Sequence, residues 1–311
     1  STFGAHDSAA AAYNGYMYIS GGQWGAVRPN NEIYRAVINS DGSLGTWSLL
    51  GTMPEGLQDH KMVIARNPSG TGATVYLIGG LADRGGGEVA ISEVRHAPVL
   101  TDGTLGAWNT GPSLDLRAHG HDVAIVNNKM YKYGGGSGGA GINIVEYATI
   151  NADGSLTGDG SNSWIRGPNQ NLPVNRAYYI AGGPYPAWDV AGTGITPNKV
   201  YAVGGEDDSA CVPTTTPPIN TNLNTVFVAI PQPTGEITSW STTTPLPEGR
   251  LDHSVNLIKD SLLVIGGMNR PPYTSNTCPW HDATAKDTVF TARLNQNGNI
   301  LNWYDGPALP A

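Results

Sequence analysis

The chain has 311 residues, long enough for one large domain or two small ones, with 39% hydrophobic and 14% charged residues, 42 glycines and 22 prolines. That apolar fraction supports a sizeable core and excludes wholesale disorder, while few charges among many turn formers indicate an all-β protein. The formal net charge of −8 argues against nucleic acid as a partner and against electrostatic attachment to anionic lipid, because both need a basic face. No apolar run approaches the length of a membrane span, so no membrane insertion is expected.

Ser1 is not a start residue and no signal peptide precedes it, so the chain reads as processed or trimmed at its N-terminus. From there one pattern recurs. A β-like run closes on a glycine pair at Met17 to Gly22, Val75 to Gly80, Met130 to Gly135, Val200 to Gly205 and Leu263 to Gly267. The spacing of about 55 to 70 residues suits long propeller-type repeats. A variable loop follows each pair, then a second β-branched or aromatic run, as in Ile33 to Ile38, Ile144 to Ile150 and Val226 to Ile230. Next comes a turn signal: Asp41-Gly42, Asp102-Gly103, Asp153-Gly154, Thr234-Gly235 or Asn297-Gly298. Glycine there accepts the positive φ of a tight hairpin. A tryptophan follows every turn (Trp47, Trp108, Trp164, Trp240, Trp303), and most units then reach a Leu-Pro or Met-Pro step.

Each unit therefore reads as four antiparallel strands, a to d. Strand b ends at the glycine pair, and c and d form the hairpin. Stacking such sheets radially buries both their faces. The expectation is a single all-β propeller domain over 1–311, with repeats at approximately 1–54, 55–114, 115–173, 174–247 and 248–311. The chain ends just after Leu309-Pro310, so it holds a whole number of units. Five blades closing on themselves are favoured over a fragment of a six- or seven-bladed ring.

The glycine pair, an aromatic in the next strand (Tyr34, Tyr147, Phe227, Phe290; Val94 in the second unit) and the later tryptophan resemble the kelch repeat. The match covers essentially the whole chain. It implies a kelch-like propeller and leaves function open, since such propellers serve as enzymes, adhesins and protein-binding modules. Kelch-like copper radical oxidases need a cysteine on an inner strand, which neither Cys211 nor Cys278 provides. Sugar-processing relatives would need an axial carboxylate such as Asp59, Asp122 or Asp252, and the spacing of these residues singles none out.

On a repeat scaffold, function sits where the loops vary, which places the site on the face carrying the b-to-c and d-to-a connections. The d-to-a segments supply a recurring polar set: His6-Asp7, Asp59-His60, Arg117 with His119 and His121, Arg176, and Arg250 with Asp252 and His253. One reading makes these donors for an anionic or hydroxylated ligand. Another makes them packing residues that satisfy neighbouring backbone, and a third uses the histidines for a metal. Trp24, Tyr273 and Trp280 in the b-to-c loops are candidate stacking aromatics for a sugar or anchors for a protein. Cys211 and Cys278 occupy comparable loops, and a disulfide between them is the economical reading. Glu206, Asp207 and Asp208 are the weak candidates for Ca²⁺; no other cofactor is implied.

The combined expectation is a bacterial, secreted or cell-surface binding or adhesion module without catalysis. Its partner would be a glycan, a protein or a copy of itself. The alternatives are a structural subunit of a surface layer or filament, and a carbohydrate-active enzyme with an axial pocket.

Overall fold

The β-branched and aromatic runs form strands, and the glycine pairs end them. The computed structural model describes residues 5–24, 29–137, 140–167, 170–173, 198–206, 222–258, 260–269, 284–295 and 297–310. Among the described residues there is no helix, and the strands build a five-bladed β-propeller. The first sheet runs Ala9–Tyr13, Tyr16–Ser20, Glu32–Val37 and Ser48–Thr52, each strand antiparallel to the next. The second runs Lys61–Arg66, Ala73–Ile78, Val94–Val99 and Asn109–Thr110. The third runs Asp122–Val126, Lys129–Tyr133, Val145–Ile150 and Leu156–Thr157. The fourth shows Val200–Val203, Val226–Ala229 and Ser241–Thr243; its expected first strand falls in 174–197, outside the described residues. The fifth runs Ser254–Ile258, Ser261–Ile265, Val289–Leu294 and Ile300–Asp305.

The chain divides into two compact units, Ser1–Gly120 with Ala148–Ile165, and His121–Tyr147 with Arg166–Ala311. In the first unit Tyr18, Ile33, Met62, Ile64, Val75, Leu77 and Ala97 share one buried core between the first two sheets. In the second, Tyr201, Val203, Val226, Val255, Leu262, Val264 and Phe290 do the same for the fourth and fifth. The second unit also buries an ion pair completely, with Lys132 Nζ 3.1 Å from Glu146 Oε1 in the third sheet.

Three devices join successive blades, and each explains one recurring residue. The glycine pair brings backbone against backbone. Gly22 N–H donates to the Leu57 carbonyl at 2.8 Å, and a Cβ on Gly21 would stand 2.2 Å from that same oxygen. Both glycines have positive φ, 61° and 87°, where a side chain is disfavoured. The strand-b tyrosine reaches the hairpin turn of the next blade. Tyr18 donates to the Gly103 carbonyl at 2.9 Å, Tyr76 to Gly154 at 2.6 Å, Tyr131 to Gly235 at 2.9 Å, and Tyr201 to Gly298. The strand-d tryptophan reaches back to the preceding blade. Its indole N–H donates from Trp108 to Thr52 O, from Trp164 to Pro112 O, from Trp240 to Gln170 O and from Trp303 to Thr244 O, at 2.9 to 3.2 Å.

Candidate functional site

The d-to-a segments end the same way in four blades. Asp7, Asp59 and Gly120 in the first unit and Asp252 in the second have φ of 59°, 51°, 58° and 54°. Aspartate and glycine are among the few residues that accept this left-handed backbone. The next residue opens strand a or directly precedes it: Ser8, His60, His121 and His253. In the first unit these turns are stitched in series. Asp59 N–H donates to the Asp7 carbonyl, and Gly120 N–H donates to the Asp59 carbonyl, both at 2.9 Å.

Around that backbone chain the first unit gathers polar side chains. His6 Nδ1 lies 2.6 Å from Asp7 Oδ2, and His119 Nδ1 lies 3.7 Å from Asp59 Oδ2. Burial, and then the charge of Asp59, hold the Asp7 carboxyl above the ordinary carboxylate range, with His6 opposing them. The start of the first b-to-c loop pairs with the d-to-a segment, His6 opposite Gln23. The second b-to-c loop folds into a hairpin of Leu81–Asp83 and Glu88–Ala90, and Gln58 bridges to Leu81. These pairings bring two amides to one carboxylate. Gln58 Nε2 is 3.1 Å from Glu88 Oε2, and Gln23 Nε2 is 3.5 Å from Glu88 Oε1. Both glutamines are buried, Glu88 is exposed, and Gln58 Oε1 has no hydrogen-bond partner.

The recurring histidines have a packing role. His60 Nε2 is 2.8 Å from Ser20 Oγ, and its Cε1 lies where a Cβ on Gly21 would be 2.9 Å away. Burial, and next the charge of Lys61, push its imidazole down to about 3, so it stays neutral near pH 7. In the second unit His253 packs likewise against Gly204, and His121 is buried at the start of the third sheet.

Arg250 is fully buried. Its guanidinium donates to the Gly266 carbonyl and Thr288 Oγ1, each at 2.8 Å, and pairs with Glu248, which also holds Lys286. It therefore braces backbone and a carboxylate within its own unit. Arg117 is exposed beside buried His119. Of the polar set expected from the sequence, the first unit brings His60 and His119 to the Asp59 turn, and the second keeps Arg250, Asp252 and His253 on one segment. Arg176, Tyr273, Trp280, Cys211, Cys278, Asp207 and Asp208 lie outside the described residues. Trp24 lies in a two-residue strand. Glu206 is buried and bridges to Asn222. Among the described residues no group of three or more His, Cys, Asp or Glu could hold a metal ion.

Gln23, Gln58 and Glu88 escape sequence reasoning because they do not recur from unit to unit. Their one signal is position, since Gln23 directly follows a glycine pair and Gln58 directly precedes a left-handed aspartate.

No protein-family model matches the chain, and no curated protein matches it. Among solved structures it is similar to YjhT, with a TM-score of 0.65 and 14% sequence identity over 98% of this chain and 84% of that one. Identity that low establishes the propeller fold and nothing about activity.

Proposed function

We propose that the protein is a non-catalytic, secreted or cell-surface binding module of kelch kinship that recognises a glycan through the face carrying the d-to-a and b-to-c connections. One observation carries this reading. In the first unit, carboxylates and amides converge on the series of left-handed turns, and Gln58 keeps a buried acceptor without a partner. Planar carboxylate and amide groups can accept and donate to neighbouring sugar hydroxyls. A buried acceptor left unpaired gains most from a ligand hydroxyl that reaches it. A protein ligand would use the same face.

A glycan array probed with the whole chain tests the proposal, run beside assays for hydrolysis and epimerisation on the same sugars. Binding that Asp59→Asn and Glu88→Gln abolish, without turnover, supports it. Turnover abolished by Asp252→Asn would overturn it in favour of an enzyme.

A further inference from the structure

Within the first unit, the hairpin of Leu81–Asp83 and Glu88–Ala90 carries a single cation, Arg84, and commits it away from Glu88. The Arg84 guanidinium donates to Glu55 at 3.0 and 3.1 Å and to Glu93 at 2.6 Å. Glu88 keeps only neutral partners, the amides of Gln58 and Gln23, and among the described residues no cation pairs with it. The same carboxylate fixes the Gln58 amide. Its Nε2 donates to Glu88, and turning the group over would set its Oε1 against that negative charge. Oε1 therefore lies beside the carboxylate on one planar group, on a side chain 2% exposed, and has no partner.

The notch thus lacks positive charge and donors. One carboxylate meets only amide hydrogens, and one buried carbonyl meets none. Its surroundings add to the deficit. Asp59 follows Gln58 in the chain, and burial and then the charge of Asp59 hold the Asp7 carboxyl above its ordinary range. A sugar hydroxyl or acetamide can bond Oε1 but leaves the Glu88 charge unanswered, and an acidic sugar is repelled. Ca²⁺ takes about six to eight oxygens, more than this pair supplies. A protonated amine brings one positive charge and three N–H donors, enough for both groups at once, and charge-assisted bonds are roughly twice as strong as neutral ones.

We propose that the notch between Glu88 and Gln58 takes the ammonium group of an amino sugar whose amine is free. This rests on the glycan reading above and narrows it. Oε1 is buried, so the ligand enters as the hairpin yields. The tip, Gly85-Gly86-Gly87, permits that movement, because a Cβ on any of the three would meet nothing within 4 Å.

Calorimetry on the whole chain near neutral pH and at low salt tests it with three tetrasaccharides of one backbone: the glucosamine tetramer, the N-acetylglucosamine tetramer and cellotetraose. They differ at one ring position, which carries an amine, an acetamide or a hydroxyl. The amine is expected to bind at least about tenfold tighter than the other two, and added salt to shrink that preference. Glu88→Gln keeps the size and removes the charge, and is expected to erase the preference. Gln58→Met removes the acceptor and is expected to weaken the amine several-fold; thermal melts check that both fold. Asp305→Asn removes an exposed charge in the other unit and is expected to change nothing. Three tetramers that bind alike, a preference that survives Glu88→Gln, or an equal loss in Asp305→Asn would each overturn the inference. A glycan array positive only for neutral or acidic sugars on this face overturns it and leaves the glycan reading standing, whereas an array blank throughout overturns both. Spermidine binding as tight as the glucosamine tetramer's would uphold the ammonium site and overturn the glycan reading.

Discussion

The Tyr76 hydroxyl stands 2.6 Å from the carbonyl oxygen of Gly154, 78 residues further along the chain. Tyr76 is fully buried, and burial raises its hydroxyl above the ordinary phenol range. The hydroxyl therefore stays protonated as a donor. Tyr76→Phe keeps the ring and removes that donor, leaving the Gly154 carbonyl without it. The expected loss is about 1–2 kcal/mol in urea denaturation. Amide exchange should accelerate at the Asp153-Gly154 turn before it does elsewhere.

Glycines with the same backbone twist should differ sharply in tolerance. Gly21 and Gly42 both have positive φ, but only Gly21 has a carbonyl oxygen where a Cβ would go. Gly42→Ala is expected to cost about 1 kcal/mol from φ alone. Gly21→Ala is expected to cost about 3 kcal/mol or more, because the Leu57 segment must move as well. Paired thermal melts read the difference directly.

Acid should weaken the fold through His60. Its imidazole falls from 6.5 to about 3 on folding, so between those pH values the unfolded chain binds a proton that the folded chain refuses. Stability supported by the neutral imidazole is thus fully present above pH 6.5 and lost as pH falls towards 3, by up to about 1.4 kcal/mol per pH unit. Asp7 acts in the opposite sense, since its raised carboxyl takes up a proton more readily when folded. Urea midpoints across this range should therefore fall with pH in wild type and fall less steeply in His60→Gln.

The buried Lys132–Glu146 pair gives a third contrast. Removing one charge takes a counter-charge 3.1 Å away from a group at zero exposure. Lys132→Met alone is expected to cost about 3–5 kcal/mol, and the double variant Lys132→Met/Glu146→Leu much less. A double-mutant cycle by chemical denaturation measures the coupling. A double-variant loss equal to the sum of the two single losses would show that the pair is not coupled.

The propeller was legible because its devices are backbone-level and repeated. Gly21-Gly22 is needed for close approach, Asp102-Gly103 for a hairpin and Trp108 for a bond to the preceding blade, and each leaves the same residue type in unit after unit. Strand limits came within one or two residues, as in Ile33 to Ile38 against the observed Glu32–Val37. The polar cluster was only half legible. Asp59 and His60 recur, so they could be seen, but recurrence itself pointed to packing, and His60 packs on Gly21. Gln58 and Glu88 meet only because the second b-to-c loop folds into its own hairpin. A single strand period does not encode that pairing.

The stitched turns at Asp7, Asp59 and Gly120 have a consequence for how this surface could diversify. Their backbone excludes most side chains but accepts aspartate, asparagine or glycine alike. Each such blade thus offers one socket at a fixed place whose charge can be switched on, made neutral or removed by a single substitution, with the frame beneath left unchanged.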